Sequence, residues 1–153
     1  MRLVVALATA VLIAPLARGQ NVGPAPDLTP AEVVRIQVDA LRANDDPTPG
    51  AGIATVFRFA SPGNREATGP LPRFARMIRT GYPALLGFAR AEYGDPRVRG
   101  DRAVVPVTVV LRDGRRVTYG FALSRQTGGE CDGCWLTDAV VERPEPRPDI
   151  RRI

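Results

Sequence analysis

The chain of 153 residues contains no histidine and no lysine. Without histidine, the commonest general base near neutral pH and the commonest metal ligand are both missing. Only two cysteines are present, which falls short of the roughly four ligands of a zinc site. Neither a metal nor a cofactor is therefore expected. The 21 basic residues are all arginine, set against 16 acids, a usage that reads as codon bias rather than chemistry. They are scattered rather than gathered into a basic patch with stacking aromatics, so nucleic acid is not expected as a partner. An apolar run of the roughly 20 residues needed to cross a bilayer is also lacking.

What is present begins with "MRLVVALATAVLIAPLARG". Arg2 supplies a basic start, the apolar run extends from Leu3 to Leu16, and the small residues Ala17 and Gly19 stand two apart. That is the pattern of a cleavable export signal over residues 1–19, with an uncleaved anchor as the alternative. No cysteine follows the run, which argues against a lipid anchor. Cleavage after Gly19 leaves 134 of the 153 residues, enough for one modest core. Taking Arg2 and Arg18 from the 21 arginines leaves 19 against 16 acids, a net charge of +3. The expected location is periplasmic or secreted, without stable membrane insertion after cleavage.

Residues 20–27, "QNVGPAPD", form a flexible lead. In "LTPAEVVRIQVDALRAND", Thr29 is an N-cap, Pro30 suits the first helical position and Glu32 completes a capping box, with Leu28 and Val33 as a hydrophobic staple. The helix is expected from Pro30 to about Asn44. Its apolar face holds Val33, Val34, Ile36, Val38, Ala40 and Leu41, and Gln37 falls in the middle of it. A buried amide without partners costs about 1–3 kcal/mol, so Gln37 either satisfies a backbone group in the core or points into a polar-lined cavity. A second helix fits Gly50 to Ala60, with Thr48 as cap and Ser61-Pro62 as its end. Asn64 or Gly63 is expected in a left-handed conformation. A third helix is expected near Pro70, with Leu71, Phe74, Ala75 and Ile78 as its apolar face and Arg73 and Arg76 in solvent.

From Phe88 the period becomes two. "FARAEYGDPRV" reads as a strand. "DRAVVPVTVVLRDGRRVTYGFALSRQ" reads as a hairpin about Asp113-Gly114, with Ala103, Val105, Val107, Val109 and Leu111 on one face of its first strand. Val117, Tyr119, Phe121 and Leu123 share a face of the second. Pro106 implies an edge or a bulge. "CWLTDAVVE" is the last strand, and residues 143–153 form an extended Pro/Arg tail. Helices followed by strands argue an α+β fold, with N-terminal helices packed on a curved antiparallel sheet of about four strands, in one domain over residues 28–142.

"VVRIQVDALRANDD", "FRFASPGNREATGPLPRF", "GYPALLG" and "CWLTDAVV" resemble the family called domain of unknown function 4864, from about Leu28 to Val141. FASP-x-N with TGP-x-x-RF and CWxTD is the specific combination. The "GGECDG" stretch before Trp135 departs locally from it. The family implies no activity. The element order is also similar to the cone-shaped α+β roll of the nuclear-transport-factor-2-like superfamily. That similarity implies an open-ended pocket, with the gap between the second and third helices near its mouth. There Asn64 and Thr68 would cap helix ends and fix the rim, or the gap is a rigid corner only.

Cys131 and Cys134 are expected to form a disulfide, since an exported chain meets oxidising conditions. A thioredoxin-type redox pair would sit at a helix start after a strand, not in this Gly-rich loop. Asp138 shares a strand face with Leu136 and Val140. If that face is inward, Asp138 meets Gln37 or Tyr119 in a pocket, where burial raises a carboxyl pKa and suits it to acid–base work. In the other register Trp135, Thr137, Ala139 and Val141 turn inward. Asn44-Asp45-Asp46 is a helix-end terminator or a weak cation attractor. The reading is a non-catalytic module that binds a small molecule or a protein, with oligomerisation open. The alternative is a cofactor-free hydrolase, lyase or isomerase working through Asp138. A third reading is a helper subunit whose Arg73 and Arg76 contact an acidic partner.

Overall fold

The structure, a computed structural model, describes residues 22–144. The expected signal over residues 1–19 and the tail from residue 145 lie outside the described residues. The order of elements is four helices, then five strands, an α+β fold with the helices N-terminal to an open antiparallel sheet.

Helix α1 (Pro30–Arg42) starts with the expected capping box. Thr29 Oγ1 accepts from the Glu32 N–H at 3.3 Å, and the Glu32 carboxylate accepts from the Thr29 N–H at 2.8 Å, so two orphan donors of the first turn are satisfied reciprocally. The helix stops short of Asn44 because that side chain builds the next turn. Asn44 Oδ1 accepts from the Ile53 N–H at 3.0 Å, and its amide donates to Asp45 Oδ1 at 2.8 Å. Asp45 Oδ1 also accepts from the Gly50 N–H at 2.9 Å. The Asn44-Asp45-Asp46 stretch thus fastens α1 to α2.

Helix α2 (Ala51–Arg58) begins after Gly50, which is left-handed at φ 79° and gives no side-chain cap. The expected Thr48 cap is replaced by its main-chain carbonyl, which accepts from the Ala51 N–H at 3.1 Å. The expected connector after Ser61-Pro62 is itself a helix, α3 (Pro62–Thr68). Ser61 ends one helix and caps the next, its Oγ accepting from the Asn64 N–H at 3.3 Å, and Pro62 takes the first helical position. Neither Asn64 nor Gly63 is left-handed; the positive φ falls at Gly69 (φ 80°, ψ −168°), an extended conformation open to glycine that lets the chain turn into α4 (Leu71–Gly81). Phe74 and Ile78 face the core, and Arg73 and Arg76 are exposed. A single 3-10 turn, Pro83–Leu85, leads to the sheet.

Strands β1 (Arg90–Tyr93), β2 (Arg97–Arg99), β3 (Arg102–Val110), β4 (Arg116–Arg125) and β5 (Trp135–Arg143) run β1-β3-β4-β5, with β2 beside β3. The expected first strand is two strands, and Pro106 supplies the reason. β1 pairs with β3 up to Val107, and β2 pairs with it from Val104. Pro106 faces the interruption between them, where its missing N–H leaves no ladder bond unmade. Its carbonyl accepts from the Gly94 N–H at 2.9 Å, and a Cβ on Gly94 would meet the proline ring at 2.6 Å. The Asp113-Gly114 turn closes the β3–β4 hairpin as expected. Ala103, Val105, Val107 and Val109 of β3 are buried with Tyr119, Phe121 and Leu123 of β4, against Val33, Val34, Val38 and Leu41 of α1.

The packing of α1 on α2 depends on Gly52, where a Cβ would lie 2.0 Å from the Ala40 carbonyl oxygen. Backbone on both sides leaves no flexible atom to give way. Gly52→Ala is expected to lower stability by about 3 kcal/mol, beyond any gain in helix propensity, measured by denaturant unfolding.

Candidate functional site

The site grows from an irregularity in β5. Leu123 pairs with Thr137 and Ala122 with Ala139, so Asp138 is the extra residue of a β-bulge. Neither uniform register of the last strand therefore holds. Trp135 and Thr137 are buried before the bulge, Val140 opposes Phe121 after it, and Ala139 and Val141 are exposed.

Thr137 joins this edge strand to the helices. Its N–H donates to the Phe59 carbonyl at 2.8 Å, and its carbonyl accepts from the Ser61 N–H at 2.9 Å and from Asn64 Nδ2 at 3.0 Å. The Phe59–Ser61 stretch thereby forms a parallel bridge, Ala60 to Thr137, on the outer side of β5. The Thr137 hydroxyl lies 2.9 Å from Nε2 and 3.2 Å from Oε1 of Gln37. Gln37 Nε2 also donates to the Val33 carbonyl at 3.2 Å. The buried amide on α1 is thus satisfied by a hydroxyl and by its own helix, not by Asp138 or Tyr119.

Beside this junction lies a cavity of about 400 Å³. Leu41, Val56, Phe74, Ile78, Leu85 and Phe121 give it apolar walls, and Gln37, Ser61, Asn64, Thr68, Thr137 and Asp138 add polar groups. Four of the five pocket candidates, Gln37, Asn64, Thr68 and Asp138, thus line one space. Tyr119 does not; its ring packs 6.1 Å from that of Tyr82, which does line it. The Tyr82 hydroxyl donates to the Val140 carbonyl at 3.0 Å, a bond between two lining residues. Thr68 Oγ1 donates to the Asn64 carbonyl at 2.7 Å, a bond inside α3 rather than a cap on a neighbouring helix. Ser61, Tyr82 and Thr137 were not singled out by the sequence, although each lies in one of the strings that carry the family resemblance.

The chemistry available is limited. Asp138 Oδ1 accepts from Ser124 Oγ at 2.9 Å, a hydroxyl on β4. Burial, with Glu142 and Tyr82 adding, pushes the Tyr119 phenol up to about 12. Asp138, Gln37 and Tyr119 are therefore not assembled as one acid–base group. Cys131 and Cys134 are paired, with Cα atoms 5.5 Å apart, in the loop between β4 and β5. Among the described residues no cluster of three or more His, Cys, Asp or Glu is placed to hold a metal ion, and no helix is long and apolar enough to cross a membrane.

The chain belongs to the family described as domain of unknown function (DUF4864), whose model matches residues 25–150. No curated protein and no solved structure matches it. The FASP-x-N and CWxTD strings meet in space, since Phe59, Ser61 and Asn64 of the first all bond to Thr137 of the second.

Thr137→Val leaves the Gln37 amide short of a partner and is expected to cost about 1–3 kcal/mol. Gln37→Leu together with Thr137→Val removes both polar groups and is expected to recover about 1 kcal/mol of the summed single losses, measured as a double-mutant cycle. Because lysine is absent, tyrosines dominate titration on the alkaline side. A phenol whose pKa is raised by folding contributes stability that is complete below pH 10 and is lost as pH rises through about 12. Tyr93 is raised by burial too. Unfolding midpoints should fall over that window, and Tyr119→Phe should flatten the fall.

Proposed function

We propose that this protein is an exported, non-catalytic module that binds a small, largely apolar molecule in the cavity beside Thr137. The observation that carries the reading is the cavity itself. Its volume of about 400 Å³ falls in the range of small-molecule sites, roughly 300–1,000 Å³, and its apolar walls carry a few fixed polar groups, as such sites do. A volume of this size favours a compact ligand over a long peptide. Residual hydrogen-bonding capacity at Asn64 and Asp138 would orient it.

Export rests on Arg2, the Leu3–Leu16 run and Ala17/Gly19, and the Cys131–Cys134 pair fits an oxidising compartment. The order of helices and strands supports a likeness to the nuclear-transport-factor-2-like roll, a fold that hosts binding modules and enzymes alike. Hydrolysis, elimination or isomerisation through Asp138 has less support. Ser124 engages that carboxylate, and the Tyr82 phenol, the other ionisable group of the cavity lining, donates its proton to the Val140 carbonyl. Arg73 and Arg76 are exposed, with Leu71 exposed on the same helix, which leaves contact with an acidic partner as a separate property of α4.

Benzene is a suitable probe, because apolar cavities admit it without specific recognition. Methyl NMR of the mature chain should show saturable shifts at Leu41, Val56, Ile78 and Leu85. Ala67 is exposed and lines the cavity, so Ala67→Phe should block those shifts while leaving the melting temperature within a few degrees. Methyl groups that ignore the probe in the wild-type chain would contradict the binding reading.

A further inference from the structure

A second depression, of about 750 Å³, lies between the α2–α3 corner and the β4–β5 loop and shares no lining residue with the cavity above. Arg58 and Arg65 both line it, with Pro24, Pro62 and Leu136 as apolar neighbours. Two surface arginines have close carboxylate partners: Arg115 Nε is 2.7 Å from Asp113 Oδ2, and Arg116 Nη2 is 2.5 Å from Glu92 Oε2. Arg58 and Arg65 do not.

Arg58 spends Nη2 on the Val22 carbonyl at 3.3 Å and on Thr55 Oγ1 at 3.0 Å, and forms no ion pair among the described residues. Arg65 donates from Nη2 to the Arg58 carbonyl at 2.8 Å. Its one carboxylate is Glu130 Oε2, 3.9 Å from Nη1, on a side chain that is 95% exposed. An ion pair so long and so wet contributes little. The Nε atoms of both arginines are buried and have no hydrogen-bond partner among the described residues, a state that each polar group in a folded protein has reason to leave.

Two partly desolvated guanidinium groups in one pocket repel each other, and an anion between them reverses the sign of that interaction. The planar guanidinium fork matches carboxylate and phosphate oxygens and forms charge-assisted bonds with either. We propose that this depression binds the carboxylate or phosphate group of a small organic anion, held by Arg58 and Arg65. Glu130 is the loop's own weak competitor for Arg65, displaced when the anion enters. The apolar neighbours Pro24, Pro62 and Leu136 receive the anion's carbon skeleton.

Isothermal titration of the mature chain with citrate, and separately with inorganic phosphate, at constant ionic strength tests the site. One-to-one binding of at least one probe is expected, and which probe binds distinguishes the carboxylate source from the phosphate source. Arg58→Gln and Arg65→Gln should each weaken it about tenfold or more. Glu130→Gln should tighten it about two- to fivefold by removing the competitor. That variant changes only an exposed loop side chain, so it decides the matter even if Arg65→Gln fails to fold. No saturable heat with either probe, equal affinity in the arginine variants, or no gain in Glu130→Gln would each overturn the proposal.

Discussion

The backbone and hydroxyl of Thr137 hold the helical layer against the open edge of the sheet. A strand at a sheet edge exposes unpaired N–H and C=O groups, and proteins must cover or blunt them. Here the Phe59–Ser61 stretch does so at one residue, taking both the N–H and the carbonyl of Thr137. Asn64 adds a second donor to the same carbonyl. The hydroxyl then turns inward to Gln37, whose amide would otherwise be buried at a cost of about 1–3 kcal/mol. Helices α1, α2 and α3 are therefore all tied to one residue of β5.

The hollow beside this junction follows from how the layers are held. Thr137 fixes the α2–α3 corner, and the Tyr82 hydroxyl fixes the end of α4 to the Val140 carbonyl. The cavity wall is made partly of small residues, Ala60, Gly63, Ala67 and Ala139, which do not fill the space. The bulge at Asp138 contributes as well. It lets Thr137 and Val140 both turn toward the core although they stand three residues apart, an odd spacing that a regular strand places on opposite faces.

Features set by neighbours in sequence were legible. The Thr29–Glu32 capping box, the Asp113-Gly114 turn and the alternation from Ala103 to Val109 are local rules, and each appears in the structure. The Ser61-Pro62 pair shows where local rules mislead. It is a helix stop and also a helix start, so the gap before Pro70 read as a connector and is α3. The faces of the last strand were not legible, because a bulge changes the parity midway and depends on the partner strand. Gln37 was legible as an anomaly on an apolar face, but its partner lies 100 residues away in sequence, beyond anything periodicity reports. Tyr119 was placed on the correct face of β4, yet the space in front of it is taken by Tyr82. Of the candidate site, the sequence thus identified side chains that line the cavity without identifying the contacts that form it.

Amide hydrogen exchange, resolved residue by residue, tests most directly whether Thr137 ties the two layers together. If it does, the N–H groups of Thr137 and Ser61 exchange only on global unfolding, with protection matching that of the central strand β3, despite their position at the sheet edge. Exchange at these two amides as fast as at the exposed end of β5, while β3 remains protected, would show that the helices and the edge strand open independently and would contradict the account.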